Sequence, residues 1–407
     1  GGEVDVLKAI QLLPGVQSGT EGSAGVYVRG GGQDENLIML DGVPLYSVNH
    51  MMGFFSVFNA DAVKNVTLYK GNFPARFGSR LSSVIDVRQN DGNLQSYHGN
   101  VTVGLIAAKA NVEGPIIKGK TSFNISARRT YADLFTTPVM QIISSKEMAG
   151  EGSAAAGYYF YDVNAKVTHR FSDNDKLSAS FYMGDDKIYV RYRESDISGT
   201  NAEKAKMGLG WSWGNILGAA AWEHRFNSQM FATTQLSFTR YRYDLKQTMN
   251  ITAYNEELKQ RVTMLEEEMD YRSHIMDIML QSNFEYTPNP RHDIKYGGQY
   301  IYHRFKPQVT SLRMLGEEYE DMGIAIDTTT SGNIINSHEV SLYAEDTYSP
   351  LGWLRINYGL HGSLYFVGGK VYPSLEPRLG IRALVTNDLA LKVSYSYMSQ
   401  YIHLLSN

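Results

Sequence analysis

Val26–Ser47, VYVRGGGQDENLIMLDGVPLYS, is the stretch on which the reading of this chain turns. Two short β-type runs, Gly25–Val28 and Asn36–Leu40, flank three consecutive glycines at Gly30, Gly31 and Gly32. Glycine takes positive φ at no steric cost, so the chain can turn sharply there and bring its backbone close to a neighbour. Asp41-Gly42-Val43-Pro44 supplies a second turn with suitable residues. Further on, Lys70–Arg80 (KGNFPARFGSR) leads into a strand at Ser83–Arg88. Before this unit, Asp5–Leu13 reads as a short helix with Val6, Ile10 and Leu13 on one face, stopped by Pro14-Gly15. Val48–Phe58 reads as an apolar-aromatic loop or short helix, and Asn59 or Asp61 can cap a helical turn before a strand at Asn65–Tyr69.

From Tyr97 the texture changes to strands that alternate apolar and polar residues. Leu177, Ala179, Phe181 and Met183 share one face. Met230 to Phe238, Leu354 to Leu360 and Leu389 to Tyr397 repeat the period. A soluble sandwich shares this alternation, and the connections separate the two. Short turns at Phe171–Asp175, Phe226–Gln229, Thr287–Arg291, Ser349–Trp353 and Val385–Asp388 alternate with long polar connections near 131–156, 190–207, 251–266 and 309–335. Short and long in turn is the rhythm of a transmembrane antiparallel β-barrel. The reading is a mainly β chain of about thirteen strands after residue 95, with Leu177, Phe181, Leu236, Ile356 and Leu391 facing outward. The preceding unit is a small α+β domain in the lumen. Domain boundaries are expected at 1–92 and 93–407, with Gln89–Asn93 as linker.

Composition agrees. The 407 residues include no cysteine, which removes disulfides and thiol chemistry. A net charge of −4 gives no footprint for nucleic acid. The 28 tyrosines suit membrane interfaces. No apolar run reaches the ~20 residues of a membrane helix. A mean hydropathy of −0.30 is compatible with a barrel, because only alternate residues face lipid.

Other motifs fail on context. Gly114–Thr121 (GPIIKGKT) matches a phosphate-binding loop, but TSFNISARR after it is a strand rather than a helix, so a hairpin turn is expected. The acidic runs Glu266–Glu268 and Glu317–Asp321 lack fixed calcium-ligand spacing and read as solvated charge clusters. The ten histidines show no paired zinc spacing, and no GxSxG elbow is present. No catalytic residue, metal or cofactor is assigned, and the chain is not read as an enzyme.

The ordered set Leu12–Val16, Val28–Gly30, Met39–Pro44, Val63–Gly71, Pro74–Gly78 and Ile85–Val87 resembles the plug domain of TonB-dependent outer-membrane transporters, closest to the branch common in Bacteroidetes. Thr67 stands where many plugs carry an acid, and the PLYVVDG-type signature of SusC-like polysaccharide receptors is absent. The resemblance implies a barrel of about 22 strands, of which this chain holds the N-terminal part, in the cell outer membrane. The chain lacks a signal-peptide pattern at Gly1-Gly2-Glu3, and a TonB-contacting segment is expected before it. The implied function is TonB-dependent uptake of a siderophore, cofactor, peptide or oligosaccharide. The alternative is a passive channel or surface binding protein. The implied partners are the TonB-ExbB-ExbD complex, outer-membrane lipids and, in this branch, a surface lipoprotein lid. Plug loops in the family point into the outer vestibule, which makes Asn49, His50, Met51, Met52, Phe54 and Phe55 candidates for a substrate-facing apex; packing against the wall is the other reading. Arg29, Arg76 and Arg80 are candidates to latch the plug, with Glu223, Glu339 and Glu345 as wall carboxylates. The substrate itself is not legible.

Overall fold

A computed structural model describes Asp5 and residues 16–18, 26–28, 36–50, 55–70, 75–77, 83–195 and 203–396. The expected helix after Asp5, Gly30–Gly32, Arg29, Arg80, Met51, Met52 and Phe54 lie outside these residues. For Asn49 and Phe55 only the backbone is described.

The N-terminal part is a set of short strands. β1 (Val16–Ser18) pairs with β2 (Val26–Val28) in an antiparallel ladder. β3 (Asn36–Leu40), β4 (Val43–Pro44), β7 (Val63–Lys70) and β8 (Ser83–Gln89) form a sheet in the order β4-β3-β8-β7, while β5 (Asn49–His50) pairs with β6 (Phe55–Ser56). β3 and β8 are parallel, and NLIML is buried along its whole length, as a strand covered on both faces must be. One face carries Ile38, Leu40, Ile85 and Val87, packed with Val57 and Phe58; the other carries Leu37, Met39, Val84 and Phe77. Asn59 caps a 3-10 turn at Ala60–Ala62 by accepting from the Asp61 N–H at 3.2 Å. Of residues 48–58, expected as a loop or short helix, Asn49–His50 and Phe55–Ser56 pair as strands, with Asp5 accepting the Ser56 N–H at 2.7 Å and Val57 donating to Val48 O at 2.9 Å.

The rest is one antiparallel wall: β9 (His98–Val103), β10 (Ala107–Ile117), β11 (Thr121–Thr130), β12 (Gly152–Arg170), β13 (Asp175–Ser195), β14 (Glu203–Arg225), β15 (Met230–Asn255), β16 (Gln260–Asn289), β17 (His292–Leu315), β18 (Ile326–Ser331), β19 (Ile335–Leu351), β20 (Leu354–Val367), β21 (Lys370–Leu384) and β22 (Ala390–Ser396). Each pairs with its neighbour in sequence, except that β19 returns to β17 and β18 hangs on β17 as a side strand. Thirteen strands thus make the main path of a 14-stranded sheet whose outermost strands are β9 and β22. All five short turns fall where the polar breaks placed them. Gly114–Thr121 is a hairpin, with Lys120 N–H returning to Ile117 O at 2.9 Å.

The long connections differ from expectation. Strands β15 and β16 run for 26 and 30 residues and turn within Asn255–Gln260, and β13 and β14 extend to Ser195 and from Glu203. A membrane crossing needs only ~9–11 residues. Beyond the lipid both faces meet water, so apolar alternation disappears from the sequence while the backbone ladder continues. The connection after β11 holds a helix, α1 (Ala132–Glu147), and that after β17 a short one, α2 (Glu317–Met322). The acidic run Glu317–Asp321 lies in α2, and Glu266–Glu268 lies in β16, with Glu268 3.1 Å from Lys246 and Glu266 3.4 Å from Arg313.

Leu177, Phe181, Leu236 and Leu391 are exposed and Ile356 half-buried, while Tyr182, Ser237 and Thr239 on the opposite face are buried. The apolar side therefore looks outward. Near the short turns the exposed Phe171, Trp222, Phe226 and Trp353 form an aromatic belt. No helix among the described residues is long and apolar enough to cross a membrane.

Candidate functional site

The small sheet meets the inner face of the wall, and the contact has an apolar centre. Tyr182 of β13 and Leu217 of β14 are fully buried in the cluster that holds Ile38, Leu40, Ile85 and Val87. Around it lie polar contacts that the sequence did not single out.

The Asp41-Gly42 turn is one. Both residues have positive φ, 50° and 77°, as the two-residue turn of a tight hairpin requires. Its carbonyls point at the wall, where Gln235 Nε2 donates to Asp41 O at 2.7 Å and Gln281 Nε2 to Gly42 O at 3.3 Å. The Asp41 carboxylate accepts from Gln89 N at 2.9 Å and Nε2 at 2.8 Å.

The second contact is the β5–β6 pair. His50 is buried and stacks on Phe160, with ring centroids 4.2 Å apart. Its Nε2 lies 2.6 Å from Asp162 Oδ1, and its Nδ1 bonds Asp186. Asp162 also accepts from Tyr182 at 2.6 Å and from Arg128 Nε at 2.8 Å and Nη2 at 2.5 Å. Arg128 reaches back to Ser56 O at 2.8 Å, and Tyr158 bonds Asp186. Gly184 makes the close approach feasible, since a Cβ there would sit 2.1 Å from the Tyr182 hydroxyl. Burial opposes a charge on His50, but Asp162 and Asp186 outweigh it and hold its pKa at about 9. An imidazolium bonded at both nitrogens between two carboxylates, one shared with an arginine, is a buried ionic clamp.

The third contact is Asp91, in the segment joining β8 to β9. It is reached by Lys166 at 2.9 Å and Lys176 at 3.3 Å from the wall and by Lys64 at 3.6 Å from β7. Burial raises its pKa, and the three lysines overcome this and hold it at about 2. Smaller bonds complete the docking: Asn215 to Ser47 O at 2.6 Å, Tyr46 to Asp277, and Ala75 N–H to Glu345 at 3.1 Å. A cavity of about 400 Å³ remains between Leu37, Met39 and Phe77 and the facing wall; Arg76, Asp277 and His303 are among its lining.

The structure distributes the sequence candidates unevenly. His50 faces the wall, with both ring nitrogens occupied. Arg76 has its guanidinium carbon 4.5 Å from the Phe77 ring centroid, and its Nε lacks a hydrogen-bond partner. It makes no ion pair among the described residues. Of the wall carboxylates, Glu345 takes the Ala75 N–H, Glu339 lies 3.3 Å from His303 and Glu223 lies 3.7 Å from Lys176. Asp162, Asp186 and Arg128 were missed. Their one signal was the presence of charges at inward positions of otherwise regular strands.

Residues 2–83 match the family described as TonB-dependent Receptor Plug Domain. No curated protein sequence matches the chain. Among solved structures, FpvA of P. aeruginosa, solved bound to heterologous pyoverdines, is similar with a TM-score of 0.59 at 12% identity, over 96% of this chain and 54% of that one. The siderophore receptor PiuA from Acinetobacter baumannii gives 0.55 at 11%, over 91% and 58%. The RagAB peptide transporter gives 0.61 at 10%, over 98% and 59%. At these identities the likeness is one of fold, and the chain spans between half and three fifths of the length of each. A plug-type sheet seated on the inner face of an antiparallel, outwardly apolar wall defines a plugged outer-membrane β-barrel. Residues 2–83 belong to the plug-domain family of TonB-dependent receptors, and the wall shares the fold of the receptors named above.

Proposed function

We propose that the chain is the plug (1–92) and part of the wall (93–407) of a receptor that takes up a nutrient across the outer membrane, driven by TonB-ExbB-ExbD. The observation that carries this is the polar seating of the plug: hydrogen bonds and ion pairs hold it around a modest apolar centre, so that it blocks the lumen yet can be drawn from it. Energy comes from outside the chain, through a pull on the N-terminal side. A low-stability element inside a rigid wall is what such a pull can move. The ordered motifs favour the branch common in Bacteroidetes, which brings a surface lipoprotein lid as a further partner. The siderophore and peptide receptors of similar fold support a nutrient of that size, and an oligosaccharide or cofactor fits the same class. Asn49, Met51, Met52, Phe54 and Phe55 are the residues we assign to the substrate-facing apex, with His50 clamping the segment that carries them. Arg29 and Arg80 are assigned to the plug latch, and Arg76 to the cavity beside it.

The test is uptake of siderophores, peptides and oligosaccharides by cells carrying the full receptor, with TonB present or deleted. Accumulation that requires TonB is expected. Accumulation unchanged by the deletion, together with an open conductance of the purified receptor, would replace active uptake by the passive channel.

A further inference from the structure

Outward positions of β15–β17 change character just past the apolar band. On β15 they run Leu236, Phe238, Arg240, Arg242; on β16 Leu280, Ile278, Met276, His274; on β17 Tyr300, Tyr302, Arg304, Lys306. The register sets Arg240 and Arg304 on either side of Met276, and Arg242 and Lys306 on either side of His274. Strands lie ~4.8 Å apart, so the four cations occupy a patch roughly 10 Å wide. Arg242 is paired, 2.8 Å from Asp185. Arg240, Arg304 and Lys306 make no ion pair among the described residues, and Arg240 Nε is buried with no hydrogen-bond partner. Lys306, Arg304 and Arg240 are the charges that bear on His274. The nearest acid on this face is Asp185, already taken by Arg242; Asp244 lies one row further from the lipid and Asp270 two rows further, 3.4 Å from Arg272.

Like charges facing one another across strands destabilise a sheet. Three unpaired cations around one histidine are therefore a cost that a bound anion would relieve. Guanidinium groups match phosphate oxygens two at a time, and lysine adds a point charge. The level is that of a lipid headgroup. Directly below lie the exposed Leu236, Phe238, Ile278 and Leu280, and beside the patch Tyr300 and Tyr302 hydrogen-bond His338 and Asn336 at 2.6 and 2.7 Å, as interfacial tyrosines do. We propose that Arg240, Arg304, Lys306 and His274 form a docking site for the phosphate of an anionic lipid of the outer leaflet. The apolar strip below seats its acyl chains, which a soluble phosphate would not require. Such a lipid would be held to one sector of the wall.

The experiment reconstitutes the full receptor in phosphatidylcholine nanodiscs containing either bisphosphorylated lipid A or its dephosphorylated form, and counts the lipid retained on extraction by native mass spectrometry. The phosphorylated form should be retained and the dephosphorylated form should behave like phosphatidylcholine. The triple variant Arg240→Gln, Arg304→Gln, Lys306→Gln should lose retention roughly tenfold or more, while millimolar inorganic phosphate leaves the wild type unchanged. Equal retention of both lipid forms, or no loss in the triple variant, overturns the site. Displacement by inorganic phosphate overturns the lipid as its occupant. Should the triple variant fail to show the heat-modifiable mobility of a folded barrel, Lys306→Gln alone is read in the same way, with roughly threefold loss expected and none overturning the site.

Discussion

The wall and the plug are held together by opposite means. Each of β12–β17 is bonded to neighbours along 19 to 30 residues, and a strand in the wall can leave only by breaking that ladder. Among the described residues the plug's longest strand has 8 residues, β7 and β8 share seven residue pairs and β3 and β8 five, and side-chain contacts around a small apolar centre fasten this sheet to the wall. A lipid-spanning wall has to satisfy its backbone internally. An element that is drawn from its seat, as proposed for the plug, is better fastened by a few concentrated contacts that can release together. Substitutions should therefore separate the two regions.

The largest separation is expected at Asp162. Asp162→Ala removes the buried carboxylate that Arg128 shares with Nε2 of His50 and leaves His50 with Asp186 alone, a loss on the order of 3–5 kcal/mol for a broken buried pair. The plug should become protease-sensitive and the receptor should conduct in planar bilayers, while the heat-modifiable mobility of the wall stays. Loss of the wall as well would show that the two regions are not separable.

Raising the pH should loosen the same contact without a substitution. The His50 pKa is raised from 6.5 to about 9, so the charged clamp contributes fully below 6.5 and is lost as pH climbs through about 9. The shift corresponds to roughly 3 kcal/mol. Proteolysis of the plug should accelerate over that window, and His50→Gln should abolish the pH dependence. Asp91 works in the opposite sense. Its lowered pKa gives a contribution present above 3.8 and lost as pH falls through about 2, so it does not confound the alkaline arm.

The smallest effect concerns the wall alone. Leu236→Arg places a charge on the lipid-facing side two residues from Phe238 and should cost about 2 kcal/mol. Its measure is the urea midpoint of the reconstituted barrel, with plug protection from protease unaltered. A midpoint equal to wild type would mean that this face is not in lipid.

These regions were also unequally legible. Turn chemistry placed the β3–β4 hairpin, the Asn59 cap and all five short turns, because each depends on a few adjacent residues. Outward residues of the wall followed from period-2 alternation wherever lipid lay on one side. Alternation fails beyond the membrane, so the outer ends of β13–β16, at 190–195, 203–207, 251–255 and 260–266, read as loops although they are paired. The clamp was illegible for a different reason. His50, Arg128, Asp162 and Asp186 come from four separate elements, and the register of the wall, which sets Arg128 opposite Asp162 and Asp186 opposite Phe160, brings the last three level. The sequence drew attention to His50 through its apolar neighbours, whereas its partners are carboxylates on β12 and β13.

The parallel pairing of β3 with β8 has a mechanical meaning. β8 runs into Asp91, which Lys166 and Lys176 fix to the wall, so its C-terminal end is the held end. The pull proposed above would enter β3 at Asn36, level with Ser83 at the start of β8. The two strands are then drawn in opposite directions along their own axes, and all five pairs share the load at once, as in a lap joint. The β1–β2 ladder, pulled at Val16 opposite Val28, opens one pair after another like a zip. Under such traction the chain should pay out in two stages, first easily from the β1–β2 side and then against a sharp threshold at β3, which would act as a mechanical fuse ahead of the seated sheet.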